Sequence, residues 1–245
     1  MKKVTKKIMS ASLVIALLIT SSTHAQTKRT SDYLGTITKD NAAVLLIDHQ
    51  TSLIMAASSM EPKLVINNTV ALANIAKIFN LPVVLTTSAG NGPSGPIIPE
   101  LTAEFPNQKP IDRLMYFNAM KDPVFKAAVE KTKRKKLIIA GITTDMCVMF
   151  PAITAVAEGY DVYIVVDACA SWDSRIDMYA FNRLSQAGCI LTNVNALVSE
   201  LQNNLAVDDP GAAKANQKHL MPFYERFVGP VSLMMGTFFK GSMPK

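Results

Sequence analysis

Short apolar runs alternate along this chain with longer stretches of helical spacing, and that alternation leaves few folds open. The runs are AAVLLID (42–48), LPVVLTTS (81–88), KLIIAGI (136–142), DVYIVVDA (161–168) and CILTNV (189–194), with a short further segment inside 109–117. Between them lie PKLVINNTVALANIAKIFN (62–80), DPVFKAAVEKTKRK (122–135), MCVMFPAITAVAEG (146–159), SRIDMYAFNRLSQAG (174–188) and NALVSELQNN (195–204), with apolar residues three and four apart. A strand that is apolar throughout is buried on both faces, which requires a parallel sheet with helices on each side. Right-handed crossovers then favour an α/β fold with a doubly wound six-stranded parallel sheet of order 3-2-1-4-5-6.

Local signals fix several boundaries. Asp122 is placed to cap a helix whose first residue is Pro123, and basic residues close its last turn. Pro151 is tolerated in the fourth-strand helix only within its first turn, which sets that helix start near Cys147. One domain is expected over 41–207, with no internal repeat.

Both ends differ in character from this core. Residues 1–25 combine Lys2, Lys3, Lys6 and Lys7 with an apolar stretch from Ala11 to Ile19 and small residues at Thr23 and Ala25. The pattern predicts a secretory signal cleaved after Ala25, and hence an exported, periplasmic protein; a retained N-terminal anchor is the other reading. Cleavage leaves 21 basic residues against 19 acidic ones, so the basic balance belongs mainly to the signal and points to neither nucleic acid nor a membrane surface. Residues 26–40 form an N-terminal segment. The tail, 208–245, is apolar and broken by Pro and Gly, as in MMGTFF. It reads either as packing on the domain or a neighbouring subunit, or as a poorly ordered end. Cys169 follows the fifth run and Cys189 opens the sixth, opposite ends of a parallel sheet, so no disulfide is expected despite the export signal.

Chemistry concentrates at three strand ends. In the 3-2-1-4-5-6 order, strands one and four are neighbours whose connections leave in opposite directions, and ligands bind in the crevice outside their carboxyl ends. Asp48 ends the first run, Cys147 follows the fourth, and Arg113 on the third-strand segment reaches in from the side. A nucleophilic thiolate requires a proton acceptor, a cation and donors for the oxyanion formed on attack. Asp48 fits the acceptor, its pKa raised by burial, or else an N-cap of the next helix. Arg113 fits the cation, or else a surface ion pair. Cys147 is a nucleophile, or else a small buried hydrophobe; a helix start there predicts a pKa below about 8.5. The Thr143 and Cys147 backbone N–H groups are the natural oxyanion donors. His49 beside Asp48 points to the opposite face of the strand, which disfavours a Cys–His pair.

AAVLLIDHQ, LPVVLTTSAGNGPSGP, RLMYFNAMKD, KLIIAGITTDMCVMFPAITAVAEGYDVYIVVDACAS and LSQAG together resemble the isochorismatase-like cysteine hydrolase superfamily, above all its small bacterial members of undetermined substrate. The resemblance spans roughly 41–203, and Gly141 to Cys147 is its most specific part. It implies a three-layer α/β/α fold and a catalytic triad of Asp48, Arg113 and Cys147, with arginine where many relatives carry lysine. A cis peptide between Ile142 and Thr143, a substrate-contacting Asn118 and assembly as a homo-oligomer are implied as well. Arginine keeps its proton, so it stabilises charge but relays nothing. The expected activity is hydrolysis of a C–N bond in a small amide-like compound through a thioester on Cys147; a catalytically silent, oligomeric small-ligand binder of the same fold is the alternative. Metal-binding relatives use an Asp and histidines after strand two. Here SAGNGPSGP carries neither, and beyond the signal only His49 and His219 remain, so no metal or other cofactor is expected.

Overall fold

The computed structural model describes residues 37–113 and 116–241. The expected export signal and residues 26–36 lie outside them. Strands run Ala42–Ile47 (β1), Val83–Ser88 (β2), Ile111–Arg113 (β3), Lys136–Gly141 (β4), Asp161–Val165 (β5) and Ile190–Thr192 (β6). All pair in parallel, in the order β3-β2-β1-β4-β5-β6. Every residue of β1 is buried, as are Leu137 to Gly141 of β4. Each large aliphatic chain so enclosed contributes roughly 1.5–3 kcal/mol, which makes this central pair the anchor of the sheet.

Helices are α1 (Thr51–Ala56), α2 (Pro62–Ile78), α3 (Pro99–Glu104), α4 (Pro123–Lys131), α5 (Met149–Ala157), α6 (Ser174–Gln186), α7 (Val194–Asp208), α8 (Pro210–Phe227) and α9 (Gly229–Gly241). α2 packs with α7 and α8, while α4, α5 and α6 gather about the other connections. Two helical layers therefore enclose the sheet, as right-handed crossovers on either side of β1 demand. Asp122 caps α4 by accepting from the Phe125 N–H at 2.8 Å, with Pro123 at the first position. Pro151 is the third residue of α5, inside its first turn.

The tail is helical and packs on the domain. Asp209 accepts from the Ala212 N–H at 3.0 Å to start α8, whose buried Ala213, Leu220 and Phe223 share one face. That face lies against α2 and α7. The helix continues through Pro222. In α9, Leu233 and Met234 are exposed.

Candidate active site

β1 and β4 run in register to Ile47 and Gly141, and the crevice opens immediately beyond. A Cβ on Gly141 would stand 2.3 Å from the Ile47 carbonyl oxygen, so only glycine lets the strands stay paired up to this edge. Asp48 leaves β1 at φ 57, the left-handed region that Asp tolerates better than most side chains. Its N–H still bonds the Thr86 carbonyl at 3.0 Å, so the chain turns out of the sheet while tied to it. His49, one residue on, directs Nε2 to the Ala168 carbonyl at 3.0 Å. It takes no part in the Asp48 cluster, and burial pushes its pKa down to about 4.

Arg113, the last residue of β3, crosses over β2 to reach Asp48. Its Nη2 donates to both carboxylate oxygens at 2.5 Å, Nε donates to Thr86 Oγ1 at 2.8 Å, and Nη1 donates to the Tyr116 carbonyl. Thr86 in turn donates its hydroxyl to the Ile111 carbonyl at 2.7 Å. Both members of the ion pair are 0% exposed, which excludes a surface bridge for Arg113. The N-cap reading of Asp48 also fails, because α1 is preceded by Gln50 and has no side-chain cap. A guanidinium fork this far from water is held by geometry as much as by charge. Thr86 was missed from sequence; a hydroxyl on an otherwise apolar strand was the signal available.

β4 ends at Gly141, and the Ile142–Thr143 peptide is cis, as the resemblance implies. Residues Thr144–Val148 then form a π-turn, closed by the Val148 N–H on the Thr143 carbonyl at 3.1 Å, and α5 follows. Cys147 projects from this turn, 6% exposed. Its thiol faces the Asp48 carboxylate, and the Thr143 backbone lies beside the sulfur. Asp48, Arg113, Cys147 and Thr143 are thus brought together. Ile142 adjoins them through its N–H on the Ile47 carbonyl at 3.1 Å. Asn118 serves as a cap: Oδ1 accepts from Met120 N–H at 3.1 Å and Nδ2 donates to Thr154 Oγ1 at 2.8 Å. It makes no bond to the three charged and thiol groups.

The electrostatics correct one expectation. Cys147 was read as having a lowered pKa; burial and then the adjacent Asp48 charge and hydrogen bond push it up to about 12, against Arg113 and the Thr143 N–H. Sulfur therefore holds its proton at neutral pH. Burial also raises the Asp48 carboxyl, opposed by Arg113 and by the Cys147 hydrogen bond. Among the described residues no group of three or more His, Cys, Asp or Glu side chains is placed to hold a metal ion. All three cysteines are free thiols.

A buried thiol, carboxylate and guanidinium stand together at the switch point of a doubly wound sheet. The chain belongs to the isochorismatase family, whose domain model matches residues 42–196. It is similar to "Probable hydrolase YcaC" of Escherichia coli, 43% identical over 182 residues, covering 74% of this chain and 88% of the relative. The solved E. coli YcaC gene product, described as an octameric hydrolase of unknown specificity, superposes with a TM-score of 0.77 at 37% identity, covering 85% of this chain and 98% of that one. YcaC from Pseudomonas aeruginosa, solved with hexane-2,5-diol and covalent acrylamide, gives a TM-score of 0.74 at 36% identity, covering 83% and 97%. This protein is an isochorismatase-family hydrolase.

Proposed function

We propose that the chain hydrolyses a C–N bond of a small amide-like compound through a thioester on Cys147. The observation that carries this reading is the placing of the Cys147 thiol beside a buried Asp48 carboxylate held at both oxygens by Arg113. As sulfur attacks the carbonyl carbon, its proton passes to Asp48, so a free thiolate never has to be stored at rest. The Thr143 and Cys147 N–H groups stabilise the oxyanion. Collapse of the tetrahedral intermediate breaks the C–N bond, and Asp48 returns the proton to the departing nitrogen. Water then attacks the thioester, gives one proton to Asp48 and releases the acid; Asp48 reprotonates sulfur. Arg113 stays charged throughout and stabilises the pair without relaying protons.

Ile142 and Asn118 border the substrate path in this reading. The covalent acrylamide in the P. aeruginosa relative supports a nucleophile in this fold that small amides reach. The octameric E. coli relative supports assembly as a homo-oligomer, and the sequence of residues 1–25 supports export. No metal or cofactor enters any step.

The test is a panel of small amides followed by intact-mass spectrometry and ammonia release. An acyl mass on Cys147 with turnover, both lost in Cys147→Ser and cut at least about 100-fold in Asp48→Asn, is expected. The high pKa of Cys147 favours one other reading, a silent small-ligand binder. Panel compounds that raise the melting temperature yet give neither acyl mass nor product would establish that instead.

A further inference from the structure

The turn that carries Cys147 is held from within by wide, long-period bonds. The Val148 N–H bonds the Thr143 carbonyl at 3.1 Å and the Met149 N–H bonds the Thr144 carbonyl, while the Met146 N–H lies 3.4 Å from the Thr143 oxygen. A π-turn is a wide, locally weak conformation that persists where the surroundings fix it. Here three other segments do so through polar side chains that the chemistry above does not use.

Ser171, fully buried after β5, donates its hydroxyl to Asp145 Oδ1 at 2.6 Å. The Ser171 N–H donates to Ser59 Oγ at 2.8 Å, and the Ser171 carbonyl accepts from the Ser58 and Ser59 N–H groups at 3.0 and 3.1 Å. Ser59, just after α1, faces the Asp177 side chain of α6. The Thr144 hydroxyl also faces Asp177, whose carboxyl pKa is raised by burial against the opposing pull of the Ser59 and Thr144 hydroxyls. That last link is loose: Thr144 Oγ1 and Asp177 Oδ1 are shut from solvent without a well-aligned bond. Finally, the Thr144 N–H is fixed on the Ala170 carbonyl at 3.1 Å. Asp145 and Thr144, the turn's first two residues, are therefore pinned from outside, two and three positions before the sulfur.

We propose that Asp145 and Ser171 are positioning residues, whose hydrogen bond, backed by Ser59 and Asp177, holds the Cys147 turn so that the thiol meets Asp48. The proposal rests on the reading of Cys147 as the nucleophile. Its logic is that of a supporting shell around a reacting group, where displacement by an ångström suffices to cost about 100-fold. Asp145 acts here as an acceptor rather than as a charge, which separates this role from electrostatic tuning of the thiol.

The experiment follows iodoacetamide alkylation of the full chain between pH 6 and 10, resolved by cysteine with mass spectrometry, alongside thermal melting. Asp145 is only half-buried, so Asp145→Ala should fold even if Ser171→Ala does not. Both variants are expected to slow Cys147 labelling about tenfold or more across the whole pH range, leaving Cys169 and Cys189 unchanged. Asp145→Asn, which keeps an acceptor oxygen for Ser171, should stay within about twofold of wild type. Fast wild-type labelling that is equally fast in Asp145→Ala and Ser171→Ala overturns the positioning role alone, as does an Asp145→Asn as slow as Asp145→Ala. A wild-type Cys147 that takes up no acyl mass from the amide panel overturns the nucleophile reading, and the positioning role with it.

Discussion

Replacing Arg113 by Met keeps the aliphatic stem and removes the fork, leaving Asp48 buried with no cation. Two 2.5 Å bonds to Asp48 and the bond to Thr86 disappear together. Thr86 keeps its bond to the Ile111 carbonyl, so the damage centres on the carboxylate. Breaking a buried pair from one side costs about 3–5 kcal/mol. With a urea slope of about 2 kcal/mol per M, the unfolding midpoint falls by about 1.5–2.5 M.

The sign of the pH dependence follows from the carboxyl. Its pKa is already raised by burial in the wild type, and Arg113 is what restrains it; without Arg113 it rises further. A raised carboxyl favours the folded state below the unfolded pKa near 4, and that contribution is lost as pH climbs through the folded value. Arg113→Met should therefore lie furthest below wild type at pH 8 and recover most of the deficit towards pH 4.5, where Asp48 takes up a proton. Urea titrations followed by Trp172, the chain's single tryptophan, at fixed protein concentration measure this directly. Adding Asp48→Asn should relieve most of the loss at pH 8. A deficit that is equal at both pH values, or below about 1 kcal/mol at pH 8, would refute the buried pair as described.

His49 gives the opposite slope. Its pKa is lowered to about 4 by burial, so it favours folding above its unfolded value near 6.5, and this is lost as pH falls from there towards 4, amounting to roughly 3 kcal/mol; His49→Gln should flatten the acid limb of the stability curve. Phe223→Ala, at a buried position of α8 beside Tyr224 and Phe227, should lower stability by about 3 kcal/mol in calorimetry while leaving Cys147 labelling unchanged. N-terminal sequencing of protein recovered from the periplasm should read from Gln26, and an intact Met1 there would refute the cleavage site.

The sheet was legible because the central strands announce themselves as apolar runs, and parallel order follows from crossover handedness rather than from any single residue. Ile111–Arg113, only three residues long, was found as a region and not as an element. The short helices Thr51–Ala56 and Pro99–Glu104 were not read at all, being too brief to show a period. In the tail, Pro210, Pro222 and Gly229 disguised two helices, since Pro at a first turn or continued through an interior reads as punctuation. Asp48, Arg113 and Cys147 were predicted to converge because topology brings strand ends together. The thiol's pKa was misjudged because a helix start was counted and the burial beside a carboxylate was not. Asp145, Ser171, Ser59 and Asp177 form no motif; only folding places them side by side.

Gly141 has a wider consequence for how such a catalyst diversifies. Glycine there leaves the Ile47 carbonyl unobstructed, so β1 and β4 stay paired right up to the edge from which Asp48 and the Cys147 turn depart. Changes in the surrounding loops would then alter the mouth of the crevice while the strand ends beneath it keep their spacing.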